Sequence, residues 1–281
     1  MPTAALAATQ TARTVLSKDG TALAYDVLGH GPPLVVVNGA LGVRSFTFAQ
    51  RMAEELAKRF TVYSYDRRGR GDSGDTAPYS VQREVEDVAA MAKAAGGRPC
   101  VFGMISGAAL ALEAAAAGVP MAGLVAYEPP YTKADPDDTT DVGYEDKVRA
   151  LVERGDRDGA VALFMRTVGV PGVGVAVMRL LPMWKVMREA APSLPYDAAV
   201  MDRFRVPTDR LARIKAPTVV ANGAKTTRTL KLAAEAAAKA IPGGRHVVVP
   251  KANHGVKGQA ILPVLAEAFG LPATGSPGAQ A

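Results

Sequence analysis

Short apolar runs alternate with helix-forming stretches along most of this chain, and the alternation limits the folds open to it. A strand is expected at residues 21–28, and mostly apolar strands are expected at 33–39, 60–65, 99–102, 124–127, 216–221 and 245–249. Helices are expected between them, at 46–59, 80–95, 106–117, 230–240 and 258–269. Strands that are apolar along their length are typical of a parallel sheet with helices on both faces. The chain is therefore predicted to be an α/β protein whose active site lies at the carboxyl ends of the strands.

The alternation stops after residue 130 and resumes near residue 214. The intervening stretch has helix-like patterns at 144–154, 158–168 and 176–188, interrupted by Pro171, Pro182, Pro192 and Pro195. We interpret residues 131–213 as a helical cap inserted into a core that consists of residues 13–130 and 214–271. The small and polar segments 1–12 and 272–281 are predicted to be disordered tails.

Composition and charge exclude several classes of function. The 281 residues carry a formal net charge of +6, but lysine and arginine are scattered among acidic residues, so no nucleic-acid partner is expected. The basic cluster from Asp66 to Arg70 is accompanied by Asp72 and Asp75, which favours a local ion-pair network among these residues.

The compartment is also constrained by the sequence. Cys100 is the only cysteine, so a disulfide framework is excluded and a reducing compartment is indicated. The sequence has no membrane-spanning run and no signal peptide, so we expect a soluble cytoplasmic protein without a membrane partner. A monomer or a homodimer is expected.

One strand-to-helix junction has a distinctive composition. Gly103-Met104-Ile105-Ser106-Gly107 places glycines two positions either side of a central residue, as in the sharp turn called a nucleophile elbow. The turn strains the backbone of its central residue and brings strand and helix together, so its neighbours must be small. Ile105 occupies the centre, and an alkyl side chain has no lone pair with which to attack a carbonyl.

Three further motifs complete a resemblance to the α/β-hydrolase superfamily over roughly residues 15–270. Asn38-Gly39-Ala40 is similar to the family's oxyanion turn, residues 66–74 to its Asp-Xaa-Arg-Gly-Xaa-Gly-Xaa-Ser loop, and Asn253-His254-Gly255 to the segment with its catalytic histidine. The resemblance implies a mostly parallel eight-stranded sheet with helices on both faces and an inserted helical cap. It also implies that His254 is a base and that Asn38, Gly39 and Ala40 bind a substrate oxygen.

Two members of the usual triad are missing from this sequence. The nucleophile maps to Ile105, and the usual acid maps near Thr226, in a segment (224–228) without a carboxylate. Ser106 is interpreted as a helix N-cap rather than as a substitute nucleophile. Glu128 ends the strand after the elbow helix, where some members of the superfamily carry their acid, so we expect it to orient His254.

The cap contributes several apolar side chains that suit a ligand pocket. Met183 and Trp184 are predicted to form its roof over Met104 and Ile105, and Trp184, the only tryptophan, is the leading candidate for a ligand contact. Most of the other cap methionines are expected to pack the cap onto the core.

A histidine without a nucleophile suits proton transfer, which needs a base and an oxyanion site but no covalent step. We therefore hypothesise a non-hydrolytic tailoring enzyme, an epimerase, lyase or cyclase, that acts on an apolar small molecule or modified peptide without a metal or cofactor. The bottromycin-pathway epimerase is similar in lacking the serine. Two alternatives stay open, a hydrolase that uses water activated by His254 and a non-catalytic binding protein. In the favoured hypothesis, His254→Ala costs more activity than Glu128→Gln.

Overall fold

The computed structural model describes residues 13–272. Of the predicted tails at residues 1–12 and 272–281, all but residue 272 lie outside the described residues. Eight strands form one sheet: β1 (Arg13–Leu16), β2 (Ala22–Leu28), β3 (Pro33–Val37), β4 (Thr61–Tyr65), β5 (Cys100–Met104), β6 (Gly123–Tyr127), β7 (Thr218–Gly223) and β8 (Arg245–Val249).

The sheet has the strand order β1-β2-β4-β3-β5-β6-β7-β8. β2 is antiparallel to both of its neighbours, whereas the strands from β4 to β8 pair in parallel. The predicted mostly parallel eight-stranded sheet is therefore confirmed. β1 was not predicted as a strand, because it is a four-residue edge strand that is mostly exposed and carries no apolar run.

Helices cover both faces of the sheet. They are α1 (Thr47–Leu56), α2 (Val81–Ala94), α3 (Ser106–Ala116), α4 (Tyr144–Glu153), α5 (Arg157–Thr167), α6 (Gly172–Met178), α7 (Pro182–Ala190), α8 (Leu194–Val200), α9 (Thr208–Leu211), α10 (Arg228–Ala240) and α11 (Gly258–Ala268). α1 and α11 pack on one face of the sheet. α2, α3 and α10 pack on the other, where their small alanines allow close approach to the strands.

Every element between β6 and β7 is helical. The sequence pattern at 176–188 suggested one helix, but the structure has two, α6 and α7, because Pro182 begins α7. Proline lacks a backbone N–H, so it is favoured in the first turn of a helix and disrupts a helix interior. These cap helices have their own apolar core, which includes Val148, Val161 and Leu194 and also takes in Leu41 from the loop after β3.

No helix among residues 13–272 combines the length and the apolarity needed to span a bilayer.

Candidate active site

The turn between β5 and α3 has the geometry of a nucleophile elbow. Ile105 adopts φ 57° and ψ −122°, a region in which a β-branched residue is strained by about 1–3 kcal/mol. A Cβ atom at Gly103 would lie 2.5 Å from the carbonyl oxygen of Gly107, and one at Gly107 would lie 2.2 Å from that of Val37. The steric requirement for small residues on either side of position 105 is therefore met.

The side chain of Ile105 lies against the oxyanion turn. A Cβ atom at Gly39 would be 3.1 Å from Cβ of Ile105 and 3.1 Å from the carbonyl oxygen of Met104, so a glycine eases this close approach. The elbow thus presents an alkyl group where a hydrolase of this architecture presents its nucleophile.

His254 lies on the loop after β8, and its ring faces the end of β6. Its Nδ1 atom is 2.7 Å from Oε2 of Glu128, a residue 126 positions away in the chain. Glu128 is fully buried, whereas the imidazole is partly exposed. The structure thus brings together the two residues that the sequence suggested as base and orienting acid.

Three strand ends hold this pair in place. The second carboxylate oxygen of Glu128, Oε1, accepts a hydrogen bond of 2.9 Å from the backbone N–H of Gly223 at the end of β7. The hydroxyl of Tyr127 donates to the carbonyl oxygen of Asn253 at 2.6 Å. A Cβ atom at Gly223 would lie 2.5 Å from the carbonyl oxygen of Ala252, so this glycine lets the histidine loop approach the sheet.

The hydrogen bond to Glu128 selects one tautomer of the neutral His254 ring. An ionised carboxylate can only accept, so in the neutral ring Nδ1 carries the proton and Nε2 carries the lone pair. Nδ1 is the one ring nitrogen of His254 that makes a hydrogen bond within residues 13–272. Nε2 is therefore free to accept a proton from a molecule in the site.

Hydrogen-bond donors flank Ile105. The backbone amides of Ala40 and Ser106 donate to no backbone oxygen in the described part of the chain. Asn38 is buried, and its side-chain Nδ2 also lacks a partner among the described residues. Unpaired buried donors such as Nδ2 of Asn38 are costly in a folded protein, and Asn38 and Ala40 line the same cavity as Ile105.

Two cavities meet at Ile105 and His254. The first, which we call the apolar lobe, has a volume of about 490 Å³ and a lining that includes Phe46, Phe48, Met165, Met183 and Met187. The second, the threonine lobe, has a volume of about 440 Å³ and a lining that includes Thr132, Thr140, Thr167, Thr226, Thr227 and Thr229. Ala40, Ile105, Phe164 and His254 line both lobes.

The predicted substrate-binding residues lie in the apolar lobe, with one exception. Asn38, Gly39, Ala40, Met104, Ile105 and Met183 line it. Trp184 is instead buried in the cap, where its Nε1–H donates to Oδ1 of Asp158 at 2.7 Å and the guanidinium of Arg179 lies 5.6 Å from its ring centre. The reason is helical geometry: Met183 and Met187 are four residues apart and share the cavity face of α7, and Trp184 lies one position further round.

Three aromatic residues that line the apolar lobe were not predicted from the sequence. Phe46 and Phe48 flank the start of α1, directly after the oxyanion turn, and Phe164 lies on α5. Phe46 and Phe48 lie close to Asn38-Gly39-Ala40 in the sequence, and this proximity could have indicated that they line the site. Phe164 had no such signal, since only the packing of the cap brings it to the site.

Ser106 does not cap α3, contrary to the expectation from its sequence. Ser106 is the first residue of the helix, and Ile105, which has a positive φ, occupies the N-cap position. The Ser106 hydroxyl donates to Oδ1 of Asp197 in α8 at 2.7 Å. It therefore points away from the reacting position and into a buried polar network.

That network joins the cap to the core beneath the elbow. Asp197 accepts hydrogen bonds from Arg67 at 2.7 Å and from Arg70 at 2.6 Å, and Arg67 also binds Glu84 at 2.8 Å. Burial alone raises the pKa of the Asp197 carboxyl, but Arg70 and Arg67 outweigh it and hold that pKa below its ordinary value. All four side chains are buried, so their pairing determines where α8 sits.

The arginines of the basic cluster form ion pairs, but not with Asp66, Asp72 or Asp75, so the predicted partners are wrong. Asp66 and Asp72 bind Arg44 instead, and Asp75 accepts a hydrogen bond from the hydroxyl of Tyr196. Arg68 pairs with Asp87 of α2 and with Asp19. Neighbours in sequence point in different directions from the tight turn, so each arginine meets carboxylates that lie far away in the chain.

No group of three or more histidine, cysteine, aspartate or glutamate side chains with a metal-binding arrangement occurs within residues 13–272.

Comparison with known proteins agrees with this geometry. The model of the Alpha/beta hydrolase family matches residues 27–262. The chain belongs to the alpha/beta hydrolase family. An alpha/beta hydrolase from Sphaerobacter thermophilus is 46% identical, with a TM-score of 0.84 over 92% of this chain and 100% of that chain.

Two solved structures of lower sequence identity share the fold. A thermophilic esterase from Thermogutta terrifontis is 24% identical, with a TM-score of 0.67 over 92% of this chain and 99% of that one. The enol-lactonase from Burkholderia xenovorans LB400 is 20% identical, with a TM-score of 0.66 over 92% of this chain and 100% of that one.

Proposed function

We propose that this member of the alpha/beta hydrolase family catalyses proton transfer at an acidic C–H bond, as an epimerase, lyase or cyclase does. The substrate is an apolar small molecule or a modified peptide. The observation that carries the proposal is the pair of His254 and Glu128, with Nδ1 and Oε2 2.7 Å apart, beside an elbow that holds Ile105 in place of a nucleophile.

The chemistry requires a base, an oxyanion site and a cavity that excludes water. A substrate carbonyl oxygen near the amides of Ala40 and Ser106 places the adjacent C–H bond towards Nε2 of His254. Nε2 takes the proton, the electron pair of the C–H bond forms an enolate, and the donors stabilise its oxygen. The buried carboxylate of Glu128 stabilises the imidazolium. Protonation of the enolate on its opposite face completes an epimerisation. In an elimination, the enolate electrons form a C=C bond, and the leaving group departs from the neighbouring carbon with the electron pair of the bond that breaks.

Ile105 favours this route over a covalent one. An alkyl side chain forms no acyl-enzyme, and its bulk beside the oxyanion turn keeps water from the point where a serine oxygen would stand. The apolar lobe and Ile105 together also lower the local polarity, which strengthens hydrogen bonds to a developing enolate.

A second candidate function is hydrolysis by a water molecule that His254 activates. The observation in its favour is family membership, since solved relatives of the same fold include an esterase and an enol-lactonase. In this reaction Nε2 takes a proton from water, and the resulting hydroxide attacks a carbonyl carbon held at the same amides.

Deuterium wash-in tests the proposal. Apolar ketones, thioesters and N-acyl peptides are incubated in D₂O with the wild type, with His254→Ala and with His246→Ala, and are then analysed by mass spectrometry. His246 is the matched control because its Nε2 is 2.6 Å from Oδ1 of Asn222, away from both lobes. We expect exchange at the carbon next to the carbonyl in the wild type and the control, and a loss of about 10²- to 10⁴-fold in His254→Ala.

Other outcomes would overturn the proposal. Exchange that persists in His254→Ala removes the histidine from the mechanism. Cleavage of esters or lactones that depends on His254, without deuterium in recovered substrate, supports the second candidate. Ligand binding without any turnover indicates a binding protein.

A further inference from the structure

Exposed apolar side chains are concentrated on one part of the cap. Leu180 and Val173 have exposed fractions of 83% and 79%. The surrounding stretch adds other large apolar side chains that are exposed to solvent, namely Val168, Val177, Leu181 and Met183. We call residues 168–183 the cap surface. Contiguous exposed apolar patches of this kind mark interaction sites.

The cap surface has a regular helical arrangement. Val173, Val177 and Leu180 follow the spacing i, i+4, i+7, which places them on one side of α6 and the turn after it. Val175, on the opposite side of α6, is buried in the cap core. The exposed stripe is therefore the outer face of a packed helix.

This surface continues into the apolar lobe of the active site. Met183 from the cap and Phe48 from the core both line that lobe, and their exposed fractions are 40% and 48%. The entrance to the lobe thus has apolar residues on both sides. An apolar molecule could pass from the cap surface into the lobe without crossing a polar barrier at this edge.

The charge around the cap surface is mostly positive. Residues 156–189 include the basic residues Arg157, Arg166, Arg179, Lys185 and Arg188 and the acidic residues Asp156, Asp158 and Glu189. Arg188 pairs with Asp158, and Arg166, Arg179 and Lys185 make no ion pair within residues 13–272. An exposed apolar stripe flanked by a net positive charge is typical of surfaces that lie on anionic lipid.

We infer that the cap surface docks onto a membrane leaflet that contains anionic lipid, with the entrance to the apolar lobe facing the bilayer. A second copy of the chain fits this surface less well, because a symmetric contact would bring two patches of net positive charge together. The sequence-based expectation of no membrane partner rested on the missing membrane-spanning segment, and a peripheral contact needs none.

Docking in this way would supply apolar substrates from the lipid phase to His254. This consequence does not depend on whether the reaction is proton transfer or hydrolysis. Membrane binding and catalysis are therefore tested separately.

Vesicle co-sedimentation tests the inference. The full-length protein is mixed with vesicles of phosphatidylcholine alone or of phosphatidylcholine with phosphatidylglycerol, at increasing NaCl concentrations. We expect binding to the mixed vesicles that weakens with salt. Leu180→Asp should weaken it on the order of tenfold or more, because an apolar anchor is lost, and Lys185→Glu by at least about fivefold.

Matched controls use residues outside the cap surface. Leu16→Asp changes an exposed leucine of β1, and Lys215→Glu changes an exposed lysine before β7; both should bind mixed vesicles as the wild type does. Circular dichroism checks that each variant is folded.

Three results would overturn the inference. The first is a wild type that binds neither kind of vesicle at low salt, and the second is a Leu180→Asp variant that binds as well as the wild type. The third result is a dimer in analytical ultracentrifugation that Leu180→Asp dissociates, which would identify the surface as an interface between copies.

Discussion

Glu128 binds His254 with one carboxylate oxygen and the backbone of Gly223 with the other. Oε2 lies 2.7 Å from Nδ1 of the histidine, and Oε1 accepts the Gly223 N–H at 2.9 Å. The second contact matters because it determines which way a glutamine would turn at this position. The glutamine oxygen would stay on Gly223, and its NH₂ group would face Nδ1.

Glu128→Gln is therefore expected to reverse the tautomer of His254. An NH₂ group donates, so Nδ1 would have to accept, the proton would move to Nε2, and the base would lose its lone pair. We expect a loss on the order of 10⁴-fold in deuterium exchange, the size of effect that a wrong tautomer causes in a catalytic triad. This replaces the sequence-based expectation of a smaller loss.

The measurement compares exchange rates of the wild type, Glu128→Gln and His254→Ala, with Glu113→Gln as control. The Glu113 carboxylate is largely buried and binds Arg210, outside both lobes. A Glu128→Gln variant with the exchange rate of the wild type would show that Glu128 does not control the tautomer.

Ile105→Ser is expected to create a serine esterase. The substitution places a hydroxyl at the elbow beside a base and acid that are already paired. We expect a fluorophosphonate adduct at position 105 and hydrolysis of p-nitrophenyl acetate. The double variant Ile105→Ser/His254→Ala should be slower by about 10²- to 10⁴-fold. The wild type should hydrolyse the ester no faster than His254→Ala, and an adduct on any wild-type serine would contradict this.

Asn38→Ala is expected to reduce exchange without destabilising the fold. Nδ2 of Asn38 has no partner among the described residues, so its removal breaks no internal hydrogen bond. Loss of one oxyanion donor typically costs about 10²- to 10³-fold in rate. Melting curves and exchange rates are measured together.

Asn222→Ala is the matched control for this prediction. Its amide donates to the Gly223 carbonyl oxygen at 3.0 Å and its Oδ1 contacts His246 at 2.6 Å, so its loss should cost about 1–3 kcal/mol of stability. If Asn38→Ala lowers the melting temperature as much as Asn222→Ala and leaves exchange unchanged, then Asn38 has a structural role.

Asp197→Asn is expected to destabilise the protein by about 3–5 kcal/mol, because the buried guanidinium groups of Arg67 and Arg70 lose the negative charge of Asp197. The folded-state pKa of Asp197 lies below its unfolded value, since the two arginines outweigh the effect of burial. The stability it contributes is therefore fully present above about pH 4 and is lost as the pH falls through the folded-state pKa.

Urea unfolding at neutral pH and at pH values below 4 measures the difference in unfolding free energy between the wild type and Asp197→Asn. This difference should be smaller in acid than at neutral pH. Asp137→Asn is the control, because Asp137 is an exposed partner of Arg228 and should contribute only about 0–1 kcal/mol. A difference that is equal at both pH values would contradict the role of the ionised carboxylate.

Apolar ligands are expected to raise the melting temperature with little quenching of Trp184. A ligand at a hundredfold excess over its Kd stabilises by about 2.7 kcal/mol. The indole of Trp184 binds Asp158 inside the cap and does not line the apolar lobe, so it should report binding poorly. Met183→Trp in a Trp184→Phe background puts the fluorophore in the lobe and should respond. Strong quenching of wild-type Trp184 would place the ligand elsewhere.

The sequence by itself determined seven of the eight strands and the elbow. A strand that is buried on both faces must be apolar along its length, so an apolar run such as residues 33–37 indicates a strand without information from distant residues. Gly103 and Gly107 likewise encode a local steric requirement that the structure confirms. Local rules of this kind depend only on neighbouring residues, so they can be read without a structure.

The tertiary structure alone decided which side chains meet. The contact between Glu128 and His254 joins residues 126 positions apart, and a superfamily position could suggest the partner but not the second hydrogen bond to Gly223. Met183 and Trp184 are adjacent in sequence, yet only the former reaches the apolar lobe. The physical reason is that side-chain direction depends on how a whole helix rotates against its neighbours, and that rotation is determined by packing across the entire core.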